Sequence, residues 1–211
     1  EYAEETFPQS LLVAIAEGRG PDAIIFPSDM YFGQANKLLT IPSESVTAKT
    51  FADTYIDAGR QFAVQGGIKA FPLVTDPLVM YWNRDMFSSA GLLNAPATWS
   101  ELVNIVNKIA KKQDNGIINR AFVALGEYTN VNYAKRILFT MLAQAGVNIT
   151  YFNPGQGSYV SGLLQEKEGS SELSRSVLTF YTEFANPLKP SYSWNRSFTS
   201  SREAFLAQDL A

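Results

Sequence analysis

The stretch GRGPDAIIFPSD, Gly18 to Asp29, joins a glycine turn to an apolar run and then to an aromatic ring, a hydroxyl and a carboxylate. Ala23, Ile24, Ile25 and Phe26 form a short hydrophobic segment bounded by Gly20 and Pro27, the pattern of a buried strand in an α/β sheet. Open α/β sheets bind ligands outside the carboxyl ends of their strands, so Phe26, Ser28 and Asp29 are the first candidate binding residues. For Phe26 two roles stay open, the last core residue of its strand or a stacking ring. Just upstream, QSLLVAIAE over residues 9–17 predicts a helix opened by Pro8 and ended by Gly18.

Working outward, Val46, Phe51, Tyr55, Ile56, Phe62 and Ala63 recur at helical spacing over 45–63 and predict a second amphipathic helix, closed by Gly66 and Gly67. The runs IKAFPLV (68–74) and PLVMYW (77–82) read as two strands, with Asp76 in the turn between them. In ATWSELVNIVNKIAKK (97–112), Thr98 and Glu101 have capping-box spacing, and Leu102, Ile105, Val106 and Ile109 line one helix face. AFVALGEY (121–128) predicts a buried strand that delivers Gly126, Glu127 and Tyr128 to a loop, followed by a helix over 132–145 that Gly146 ends. NPGQGSYVSG (153–162) reads as a Gly/Ser-rich loop, 171–185 as a helix, and NPLKPSYSWNRS (186–197) as an aromatic connector carrying Tyr192 and Trp194. REAFLAQDLA (202–211) reads as a helix passing into a strand. The two βα-rich segments, joined near 113–120, predict an α/β protein of two lobes, 1–115 and 116–211, whose strand-end loops face a shared cleft.

Composition narrows the function. The 211 residues carry a net charge of −3 with no basic stripe, which argues against nucleic acid as a partner. No run approaches the roughly 20 apolar residues of a membrane span. Cysteine and histidine are both absent. That removes disulfides, thiol nucleophiles, His-based triads and most zinc sites, which puts enzyme readings at a disadvantage; the expectation is a binding protein without catalysis or cofactor, with no metal ligands among the candidate residues. Aromatic residues make up 13% of the chain, which suits either a large core or rings that stack on sugars.

AIAEGRGPDAIIFPSD (14–29), FPLVTDPLVMYWNRDMFSSAGLLNAPATWSELV (71–103) and MLAQAGVNI (141–149) together resemble the extracellular solute-binding proteins of family 1, the maltose-binding-protein-like receptors of bacterial ABC importers for sugars and oligosaccharides. The resemblance implies a periplasmic-binding-protein-like type II fold of two α/β lobes, incomplete at both ends in this chain. It also implies an extracytoplasmic monomer, attached to a membrane only through a lipid anchor or a permease. On the matching positions it implies that Phe26 is an aromatic platform, that Asp29, Asp76 and Glu127 accept sugar hydroxyls, and that Tyr128 lies near a stacking position. Ser28 and Trp194 complete the candidate set from the residues themselves. The implied partners are a small-molecule carbohydrate and an ABC permease. Two other readings stay open: the same fold holding a polyamine or a ferric ion, and a glycoside hydrolase using Asp29 and Asp76.

Overall fold

Proline in the first turn of a helix lacks only an N–H that has no partner there, and α1 (Phe7–Ala16) starts on Phe7 and Pro8 for that reason. It ends at Gly18, whose φ of 69° is a left-handed conformation that glycine adopts without strain. The computed structural model describes residues 6–163 and 170–211, which fall into two units, Glu1–Asp76 and Pro77–Ala211.

In the first unit a 3-10 turn at Ser28–Met30 leads directly into α2 (Tyr31–Gln34), and a second at Ala35–Lys37 precedes β1 (Ile41–Pro42). Thr47 Oγ1 accepts from the Thr50 amide at 3.0 Å and caps α3 (Ala48–Thr54). A third 3-10 turn, Asp57–Phe62, then feeds β2 (Ala63–Val64) and β3 (Gly67–Ile68). The three short strands form an antiparallel sheet of order β1-β3-β2. Gly67 cannot be replaced, because a Cβ there would collide with the Ile41 carbonyl of its β1 neighbour. Tyr31, Phe51, Phe62 and Ile68 make the core, with the Tyr31 and Phe62 rings edge-on at 4.9 Å.

Three expectations change here. Ala23–Phe26 is not a buried strand: the segment joins no ladder among the described residues, and Ile25 is 82% exposed. An apolar run becomes a strand only where a neighbour takes up its backbone groups. The helix expected over 45–63 breaks at Tyr55 and Ile56, whose extended backbone (ψ 155° and 156°) separates α3 from the following 3-10 turn. Of the two strands expected over 68–82, only Ile68 lies in one.

The second unit opens with α4 (Arg84–Ser89), capped by Asn83 Oδ1, which accepts from the amides of Asp85 and Met86 at 3.1 Å. Thr98 caps α5 (Trp99–Ile109) as its spacing predicts. Glu101 reaches one residue farther back than a capping box requires, accepting from the Ala97 amide at 2.8 Å. β4 (Lys111–Lys112) and β5 (Ile118–Arg120) pair antiparallel, with the polar stretch 113–117 between them. α6 (Ala134–Gln144) ends at Gly146, with φ 81°. The expected loop at 153–162 is instead half of a hairpin, β6 (Thr150–Asn153) against β7 (Ser158–Ser161). α7 (Ser170–Glu183) and α8 (Ser201–Leu206) follow. After α8 Leu210 makes a single parallel bridge to Ala121, in place of the strand expected there.

Phe87, Val106, Ile109, Phe122, Leu142 and Phe184 lie at the centre of the main core, packed between α4, α5, α6 and α7. A second cluster, including Ile118, Ala121, Val131, Trp194 and Leu210, supports the segment that carries the site.

Candidate functional site

The buried run Ala121, Phe122 and Leu125 carries the chain to Gly126, where it turns sharply outward. Gly126 has φ 93°, and a Cβ there would lie 2.6 Å from the Ala185 amide and 2.7 Å from the Ala185 Cβ. Only glycine lets the loop rest this closely on the chain leaving α7.

Glu127 follows. Its carbonyl accepts from the Tyr181 hydroxyl at 2.6 Å, and its largely buried carboxylate accepts from Arg196 Nε at 2.7 Å through Oε2. Burial pushes the Tyr181 phenol up to about 12, and the adjacent Glu127 charge adds to the effect. The hydrogen bond to Glu127 and its negative charge raise the Arg196 guanidinium above its ordinary value. Next to this pair in sequence, Tyr128 is 64% exposed.

Asn130 ties the loop to the 194–202 segment. Its amide donates to the carbonyls of Asn195 at 2.9 Å and Phe198 at 3.1 Å, while its Oδ1 accepts from Trp194 Nε1 at 3.1 Å. Farther along, the Asn132 amide donates to Ser201 Oγ at 2.9 Å, and Asn132 Oδ1 accepts from the Arg202 amide at 3.0 Å. Tyr133 then precedes α6 with φ 62°, a left-handed conformation uncommon outside glycine. Its exposed ring has the Arg136 guanidinium 5.5 Å from its centroid.

Glu127 and Tyr128 stand side by side on a loop hydrogen-bonded to α7 and to the 194–202 segment. Ser28 and Asp29 are exposed on the 3-10 turn of the first unit, and Asp76 is exposed at that unit's end. Phe26 is half-buried against the first core and stacks on Phe7 with centroids 6.4 Å apart, so part of its ring is already covered. Trp194 corrects the expectation of a ligand platform. It is wholly buried, stacked on Phe198 at 4.6 Å with planes 9° apart, and offers no face to solvent. The reason lies in Asn130 and Phe198, which take up its N–H and its ring face. Sequence reasoning missed Arg196, two residues beyond Trp194 in a connector already singled out, and Asn130 and Tyr133, for which no local pattern exists. An open groove of about 360 Å³ along α7, lined by Ser171, Arg175, Leu178 and Thr182 among others, contains none of the expected site residues.

The family described as bacterial extracellular solute-binding protein matches the chain over residues 1–211. The chain belongs to this family. A bacterial extracellular solute-binding protein works outside the cytoplasm, and its role is binding rather than catalysis. Among solved structures, one described as "CpMnBP1 with Mannotriose Bound" aligns with a TM-score of 0.53 and 20% identity, over 96% of this chain and 50% of that one. The likeness shows an α/β periplasmic-binding-protein-like fold, and the solute-binding chain described here spans about half the length of that neighbour. No curated protein matches it.

Proposed function

We propose that this solute-binding protein is the receptor of an ABC importer and binds a sugar or oligosaccharide, with Glu127 and Tyr128 among its contacts. The observation that carries the reading is the loop 126–133, where a carboxylate held by an arginine adjoins an exposed tyrosine on a backbone tied down from both sides. A pyranose presents a C–H face to an aromatic ring and hydroxyls to a charged acceptor, and this loop supplies both. The mannotriose-bound neighbour supports the same class of solute. Phe26, Ser28, Asp29 and Asp76 are proposed as sugar-binding residues of the first unit. The proposed partner is a membrane permease that receives the ligand-loaded, monomeric protein.

Titration calorimetry of the full chain against mannotriose, maltotriose and their component sugars, beside spermidine and ferric citrate, tests the proposal. Saturable sugar binding, weakened in Glu127→Gln and Tyr128→Ala, is the expected result. Heat from spermidine or ferric citrate and none from any sugar would transfer the same fold to a cationic or metal-bearing solute.

A further inference from the structure

Arg196 is unusual among the ion-paired residues described. Its own side chain is 79% exposed, while the carboxylate it holds is only 15% exposed. Two of the other described pairs, Lys49 with Asp53 and Arg60 with Asp57, are well exposed on both sides and span a single turn. Arg196 and Glu127 are instead brought together from distant parts of the chain by the Asn130 bonds to the 195 and 198 carbonyls.

The guanidinium spends its Nε–H on Glu127 and has four further N–H donors, in a fixed plane, on its two terminal nitrogens. The pair therefore sets charged donors immediately beside a charged acceptor, with Glu127 anchored through its carbonyl to Tyr181. We propose that Arg196 is a ligand-contacting specificity residue, and that the Glu127–Arg196 pair reads adjacent hydroxyls of a neutral sugar ring. One hydroxyl donates to the carboxylate while its neighbour accepts from the guanidinium. This rests on the sugar-receptor reading and adds a selection rule to it. A cationic amine would have to displace a tethered guanidinium that is always at hand, and an acidic solute would meet Glu127. Neutral vicinal diols satisfy both charges without displacing either.

Arg196→Ala, Arg196→Lys and the double change Glu127→Gln with Arg196→Gln, each made in the full chain, test the proposal. Calorimetry uses whichever panel sugar the wild type binds, that sugar's monodeoxy analogues, and spermidine. Thermal unfolding is followed in parallel, and the double variant, which leaves no unpaired charge, covers the case in which Arg196→Ala does not fold. Losing a charge-assisted hydrogen bond corresponds to a fall in sugar affinity of about ten- to a hundredfold for Arg196→Ala. A smaller fall is expected for Arg196→Lys, whose ammonium keeps the charge but not the fork. The deoxy analogue lacking the hydroxyl read by Arg196 should bind wild type and Arg196→Ala alike, which a merely structural role would not produce. Spermidine should bind Arg196→Ala more tightly than wild type. If folded Arg196→Ala and the double variant bind sugar as wild type does, the pair is not a reader although the sugar receptor stands. If wild type binds no sugar of the panel, both proposals fall together.

Discussion

Replacing Trp194 separates a packing residue from a ligand platform. The side chain is 0% exposed, its ring lies flat on Phe198 at 4.6 Å, and its N–H donates to the residue that ties down the site loop. Truncating a fully buried tryptophan to alanine typically costs about 3–5 kcal/mol in lost transfer energy and cavity. The stack on Phe198 places Trp194→Ala at the upper end, since aromatic pairs add roughly 0.5–1.5 kcal/mol beyond area. Trp194→Phe keeps most of the stack but removes the donor to Asn130 Oδ1, so its expected cost is about 1–3 kcal/mol, the penalty for a polar group left without its partner. Urea unfolding followed by circular dichroism measures both, with a lower midpoint and an unchanged slope for Trp194→Phe. Sugar affinity should fall less than stability, and only through loosening of the 126–133 loop. A Trp194→Phe protein with wild-type unfolding and sharply reduced sugar affinity would refute the argument and return the ring to the ligand.

Gly126→Ala should destabilise the second unit by at least about 2 kcal/mol, because a left-handed conformation costs an L-residue roughly 1–2 kcal/mol and the new Cβ also presses on the Ala185 backbone; a protein as stable as wild type would show that the loop does not rest on α7 as described. Tyr181 predicts an alkaline loss of stability. In the unfolded chain its phenol ionises near 10 and in the fold only near 12, so over that window the unfolded state sheds a proton the folded state keeps, and stability falls as pH rises. Unfolding midpoints between pH 9 and 11.5 should drop more steeply for wild type than for Tyr181→Phe, and parallel curves would remove Tyr181 from the account.

Helices bounded by a capping residue or a terminal glycine were legible because those signals are local, whereas the helix expected over 45–63 on periodicity alone breaks at Tyr55 and Ile56. Thr98 three residues before Glu101, and Gly146 after an apolar stripe, act within a turn of where they stand, so α5 begins and α6 ends where those residues place them. Strands are different, since a ladder depends on a partner whose position no short window contains. Ala23–Phe26 has the apolar content of a buried strand and no ladder, whereas 153–162 has the Gly and Ser of a loop and yet supplies one side of a hairpin. In that hairpin Phe152 sits opposite Tyr159 and Tyr151 opposite Val160, and these pairs outweigh the glycines, which fall in the turn (Gly155, Gly157) and just past β7 (Gly162). The polar stretch 113–117 shows the same limit: it marks exposure, and sequence alone does not reveal that it joins the paired strands β4 and β5.

The same distinction governs the site. Glu127 and Tyr128 could be found because a buried run ending in glycine delivers its next residues to the surface, a consequence of chain direction alone. Trp194 could not be placed this way. An irregular, proline-rich connector looks solvent-exposed in sequence, but Asn130, 64 residues earlier, binds its N–H and both neighbouring carbonyl positions, 195 and 198, and pulls the ring inward. What that burial positions is Arg196, which the connector then holds against Glu127. The tryptophan offered as a ligand face therefore acts as an anchor, and its charged neighbour Arg196 is the residue that the anchored connector presents beside Glu127. In an irregular segment a large aromatic identifies where the chain is fixed, and the polar residue one or two positions farther on is the better candidate for what the chain presents.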